Sequence, residues 1–227
     1  MTVSKRAALG ISLGVIVLSW VYLIVSAPTG AHLPAHFHQL VGRIVRTKLI
    51  VLGAVFLLLR LGGEGFDALG FRREGWPKHL AVGLGAGLAM FVALNVVLSS
   101  AMSALLPGPA GGGPSILSFF REPRNLLIWL PIGVIGGGIV EEIQRIFVLT
   151  RFEKALGRAG LALGVVLSSA MFGFAHLYQG PGAAISNAVS GAVLALLYLR
   201  RRSALEPVVA HAFTDVLAML AATFLAR

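Results

Sequence analysis

Six ionisable side chains stand inside otherwise apolar runs: Glu141, Glu142 and Arg145, then His176, then His211 and Asp215. A charge at bilayer depth costs ~2.5–3.5 kcal/mol on insertion scales, so each calls for a partner or a purpose. Their spacing sets helical faces: Glu141 and Arg145 are four apart, as are Phe172 and His176, and His211 and Asp215. Three helices therefore each offer a polar spot on one face. Such faces cannot look into lipid and must converge on one another or on a water-filled cavity. A lone Glu–Arg or His–Asp pair would read as a salt bridge or a tertiary clasp. Two adjacent glutamates with one arginine leave a carboxylate over, and that surplus favours function.

A carboxylate beside a histidine in a low-dielectric cavity is suited to general-base catalysis. Water activated there would attack an amide carbonyl, and a second histidine would donate a hydrogen bond to the oxyanion. Asp215 would orient His211 through its other ring nitrogen. The competing arrangement is a metal: Glu141, His176 and His211 are donor types that suit zinc. No His-Glu-x-x-His stretch occurs, so a zincin site has no support. A serine-type site would need Gly-x-Ser-Gly, and the nearest match, Ala188-Val189-Ser190-Gly191, lacks the first glycine. An aspartyl type would need two membrane aspartates, and Asp67 lies in a loop. A glutamate mechanism needs no cofactor, whereas zinc stays open on residue types alone.

The elements that hold these groups are membrane helices. The chain has 227 residues, 57% of them hydrophobic and 12% charged, with mean hydropathy +0.87. Crossing a hydrocarbon core of ~30 Å takes roughly 20 apolar residues. Such runs are expected over about Ala7–Ser26, Leu49–Leu61 (borrowing residues from Val41 onward), His79–Leu106, Leu126–Leu149, Leu161–Leu177, Ala183–Leu199 and Ala204–Leu225. Val25-Ser26-Ala27 faintly resembles a cleavage site, but the first run exceeds the usual signal-peptide core and reads as a retained helix. Gly83, Gly85 and Gly87 offer close helix approach in the third run. Pro107–Pro114 is a loop, and Ser115–Arg124 a short interfacial helix. The expected fold is all-α, a polytopic bundle of about seven transmembrane helices. It forms one integral membrane domain over 1–227, with a motif-bearing core over about 126–225.

The net charge of +10 lies in short loops between these runs, which marks topogenic charge and not a nucleic-acid partner. With the N-terminus cytoplasmic, twelve Lys and Arg fall on the cytoplasmic side. Six fall opposite: Arg43, Arg46, Lys48, Arg121, Arg124 and Arg227. A multi-pass protein of a bacterial cell membrane, N-terminus inside, is expected. Arg200-Arg201-Arg202 would meet anionic lipid. His32, His36 and His38 read as an interfacial loop, and His79 as a boundary residue. Cysteine is absent, which excludes disulfides and thiolate chemistry.

Glu141-Glu142-x-x-Arg145, Phe172-x-x-x-His176 and His211-x-x-x-Asp215, in this order, resemble the CPBP family of CAAX prenyl proteases and bacteriocin-processing (Abi) proteins. The likeness extends over about Gly133–Leu217, including Ser168-Ser169-Ala170 and Phe147-Val-Leu-Thr-Arg-Phe. It implies hydrolysis of a peptide bond in a membrane-associated protein or peptide. Glu141 would be the base, His176 its partner, His211 and residue 215 the oxyanion stabilisers, and Glu142, Arg145 and Phe172 their support. The family has also carried a metalloendopeptidase label. Two departures stand out. The arginine comes one residue early, about 40° from Glu141 and 60° from Glu142 around an α-helix. It would pair with Glu141 unless a helix irregularity restores the usual face. Asp215 stands where asparagine is usual, and an ionised aspartate cannot donate to an oxyanion. A catalytically silent scaffold or immunity factor is the rival reading. A proton-coupled transporter using Glu141, Glu142 and Asp215 as relays is a third.

Overall fold

In the computed structural model, residues 3–30, 34, 36–72, 74–106 and 119–225 are described, and no strand occurs among them. The loop 107–114, part of the interfacial helix that follows it, His32, Arg73 and Arg227 lie outside the described residues. Helix α1 spans Lys5–Gly30 and α2 spans Phe37–Leu61. A third rod runs as α3 (Trp76–Met90), a π-helical segment (Phe91–Leu98) and α4 (Ser99–Leu105). A fourth begins with α5 (Leu126–Pro131), passes through a second π segment (Ile132–Glu141) and continues into α6 (Glu142–Ala175). Helices α7 (Pro181–Arg201) and α8 (Leu205–Phe224) complete the bundle.

Five described helical stretches are long and apolar enough to cross a membrane. The longest, Pro123–Ala175 with 53 residues, is two crossings joined at Gly157, whose φ of 60° and ψ of −139° no helix contains. That break divides the fourth expected run from the fifth. Helix α2 is as long as a span, with 25 residues, but it carries Arg43, Arg46, Lys48 and Arg60. It starts before the expected run, which puts Lys48 near mid-helix. Exposed Val, Leu and Ile side chains on α1, α2 and α3 form the lipid-facing coat.

Packing is closest where glycines remove side-chain bulk. A Cβ on Gly83 would lie 2.7 Å from the Val209 Cβ, and one on Gly87 would lie 2.7 Å from the Ala210 carbonyl oxygen. These two glycines, four apart, dock α3 on α8, and Thr214 donates to the Gly87 carbonyl at 3.0 Å. Gly85 has nothing within 4 Å, so it takes no part in the approach expected of all three. In the second π segment a Cβ on Gly138 would stand 2.5 Å from the Ala212 Cβ and 3.1 Å from its backbone nitrogen. Gly138→Ala should therefore destabilise the protein by about 1–3 kcal/mol through overpacking. Gly85→Ala should be neutral or slightly stabilising. Thermal midpoints in detergent separate the two.

One end of the bundle is closed by ion pairs. Arg151, buried, makes a two-pronged bond to Glu64 at 2.9 and 2.6 Å, and Lys154 adds a third contact at 2.6 Å. Arg202 grips Glu153 at 2.6 and 2.7 Å. Glu206 is fully buried and binds His79 Nδ1 at 2.7 Å and Arg201 at 3.2 Å. His79 is thus more than the boundary residue expected, and Glu64, Arg151, Glu153 and Arg202, expected in loops, are engaged in tertiary contacts. Burial alone would push the Glu64 carboxyl up. The Arg151 and Lys154 hydrogen bonds and charges overcome this and hold it at about 2, against an ordinary 4.5. A depressed carboxyl contributes stability above its unfolded value and loses it as pH falls through the folded one. The thermal midpoint should therefore fall as pH drops from about 4.5 to about 2, and Glu64→Gln should flatten that decline.

Candidate active site

The chemistry-bearing residues come from α2, from the fourth rod on both sides of Gly157, and from α8. Glu141 ends the second π segment, and Glu142 opens α6 with Arg145 one turn on. His176 caps the far end of α6, with Phe172 a turn before it. His211 and Asp215 share a face of α8, and Lys48 enters from α2.

At the centre is Glu142, which has no exposed surface. Its Oε1 accepts from the Arg145 guanidinium and from His211 Nδ1, the latter at 2.7 Å. Its Oε2 is buried without a hydrogen-bond partner among the described residues. Arg145 also lies over the Phe172 ring, 4.5 Å from its centroid. Phe172 in turn meets His176 at 4.6 Å and His211 at 5.7 Å, both edge-on. Arg145 therefore pairs with Glu142, three residues before it on the α-helix, and not with Glu141. Since Glu142 takes His211 Nδ1, the expectation that Asp215 orients the ring gives way. Asp215 Oδ2 instead stands 3.8 Å from His211 Nε2, beyond hydrogen-bond reach.

Glu141 faces the same nitrogen from another side, with its Oε2 3.7 Å from His211 Nε2. Its Oε1 accepts from the Lys48 ammonium. His176 Nδ1–H donates to the Phe172 carbonyl at 2.8 Å, which fixes the tautomer and leaves Nε2 as the basic nitrogen. Glu141, His176, His211 and Asp215 line one cavity of about 790 Å³, together with Lys48 and Arg43. That volume suits a peptide segment or a small ligand. Glu142 and Arg145 lie behind the wall. A smaller polar cavity of about 90 Å³ adjoins His211 and Asp215 beneath Asn95, Asn187 and Ser190, and is roomy enough for water.

The donor set does not fit a metal. Among the described residues no group of three or more His, Cys, Asp or Glu is disposed to hold one, and Glu141 already meets a cation, the Lys48 ammonium. His36 and His38 stack ring on ring at 5.6 Å at the start of α2.

Sequence reasoning missed Lys48 and Asn95. Lys48 was placed among boundary charges, although a second span that borrows from Val41 onward necessarily contains it. Asn95 is a lone amide in an apolar run, and it lies in the other π segment. Both π segments among the described residues thus carry a polar residue to the cavity.

Fold and site together define a polytopic α-helical membrane protein with a polar, carboxylate- and histidine-lined cavity among its helices. Residues 123–217 match the family model described as type II CAAX prenyl endopeptidase, Rce1-like, which is the CPBP family. The match covers less than half of the 227 residues, and the family model's description is that of an intramembrane endopeptidase acting on CAAX-type proteins. No curated protein and no solved structure matches the chain.

Proposed function

We propose that this protein is a glutamate-dependent intramembrane endopeptidase of a bacterial cell membrane, with its N-terminus cytoplasmic. The observation that carries this reading is the meeting of Glu141, His176 and His211 at one cavity. Glu141 takes a proton from water, helped by His176 Nε2, and the water oxygen attacks the scissile carbonyl carbon. His211 Nε2 lies beside Glu141 and supplies a donor to the oxyanion when the ring is doubly protonated, its Nδ1–H being committed to Glu142. The proton held by Glu141 then passes to the leaving nitrogen as the C–N bond breaks. Glu142, Arg145 and Phe172 hold His211 in place and contribute no reacting atom.

The substrate class follows from the family: a membrane-associated protein or peptide cut near its end, of CAAX type. The cavity supports this with an apolar wall that includes Phe120, Trp129, Ile132 and Met219, which suits a greasy chain beside the scissile bond. The deciding experiment reconstitutes the protein in liposomes with an internally quenched peptide ending in a farnesylated CAAX box, and with its unprenylated counterpart, in H₂¹⁸O. Cleavage with one ¹⁸O in the new carboxyl terminus is expected. Intact peptides throughout would favour the scaffold or immunity-factor reading. Uptake driven by a pH gradient would favour transport.

A further inference from the structure

Lys48 lines the cavity but belongs to none of the three motifs, and it lies outside the matched stretch 123–217. It is a lysine near the middle of α2, with its ammonium on the Glu141 carboxylate. Its stem runs along the second π segment, with Cγ and Cε 3.7 and 3.6 Å from where a Cβ on Gly136 would stand. The side chain is therefore steered toward Glu141 by the same segment that presents Glu141.

Building on the peptidase reading, we infer that Lys48 is a catalytic residue, the cation that stabilises the oxyanion of the tetrahedral intermediate. Glu141 sits between two nitrogens, Lys48 Nζ at Oε1 and His211 Nε2 3.7 Å from Oε2. That is an anion held between two donors. When Glu141 takes the proton from water it becomes neutral. In the same step the new O–C bond pushes the carbonyl π pair onto the substrate oxygen. The negative charge leaves the carboxylate and reappears on a neighbouring atom, so the ammonium has only to follow it. Collapse reverses the transfer: the carbonyl re-forms, the C–N bond breaks, the proton on Glu141 goes to the leaving nitrogen, and the carboxylate regains Lys48. The net charge of the cavity stays constant throughout, which is the least costly course in a low-dielectric site. Asp215 cannot serve as this donor while ionised. Arg145 is committed to Glu142 and to Phe172, behind the cavity wall.

The test compares wild type, Lys48→Met and Lys48→Arg on a cleavable peptide, with inhibition by a phosphonamidate peptide whose P–O⁻ imitates the oxyanion. Loss of one oxyanion donor corresponds to about 10²–10³-fold in kcat. Lys48→Met should show that loss with little change in KM, and should weaken the phosphonamidate by a similar factor. Lys48→Arg should recover part of both. If Lys48→Met aggregates, Lys48→Gln removes the positive charge while keeping a weaker donor, and should show a smaller loss of both kcat and phosphonamidate affinity. Unchanged kcat overturns the inference. So does a fall in kcat with phosphonamidate affinity intact, since that would make Lys48 a positioning residue for Glu141. If wild type cleaves and Glu141→Gln is silent, such a failure touches Lys48 alone. A wild type that cleaves nothing overturns the peptidase reading and this inference together.

Discussion

Glu141→Gln is expected to lower kcat for peptide cleavage by about 10³-fold, within the usual range for a general base, and to leave KM nearly unchanged. Glutamine keeps the shape and the carbonyl that Lys48 donates to, but it cannot accept a proton from water. Because the group works only in the transition state, kcat and kcat/KM should fall together. His176→Ala should cost about 10²-fold or more by the same argument, since its Nδ1–H is fixed on the Phe172 carbonyl and only Nε2 is available as a base. Steady-state kinetics on the farnesylated peptide, alongside unchanged elution and thermal midpoint, check both. Activity within twofold of wild type for Glu141→Gln would remove Glu141 from the mechanism.

The second large effect concerns stability. Arg145 and Glu142 are 4% and 0% exposed, so removing either alone strands the other charge in a dry site. Arg145→Met should destabilise by about 3–5 kcal/mol, the usual cost of breaking a buried pair. Replacing both, as Glu142→Leu with Arg145→Met, removes the stranded charge and should restore much of that loss. It should not restore cleavage, because His211 Nδ1 then has no carboxylate to hold the ring. Denaturation midpoints in detergent and the cleavage assay, run on the same three proteins, separate the two roles. A double variant no more stable than Arg145→Met would show that the pair does not couple.

Much of this arrangement was legible in the residues. Charges four apart on apolar helices must share a face, and three such faces have nowhere to go but toward each other; Glu141, His176, His211 and Asp215 lie on one cavity. The break at Gly157 falls in the gap between the runs expected to end at about Leu149 and to start at about Leu161, and the helical bundle was readable from run length. Lys48 was not, because a cation near the end of an apolar run looks the same whether its helix starts before or after it. The partner of Arg145 was not either. Angles of an ideal α-helix put it about 40° from Glu141 and about 60° from Glu142, too near a contest to decide without the Lys48 ammonium that occupies Glu141. The buried network of Glu206, His79 and Arg201 was hidden for another reason. Each member sits at a helix end, where a charge is ordinarily solvated.

The wider winding of the second π segment sets the phase of every residue that flanks it. Drop one residue between Ile132 and Val140, and Glu141 turns by roughly a quarter of a turn about the helix axis relative to α5. Its carboxylate would then leave Lys48 and His211 for the flank of the rod. The segment behaves as a vernier, in which ten loosely coiled residues aim a single oxygen atom.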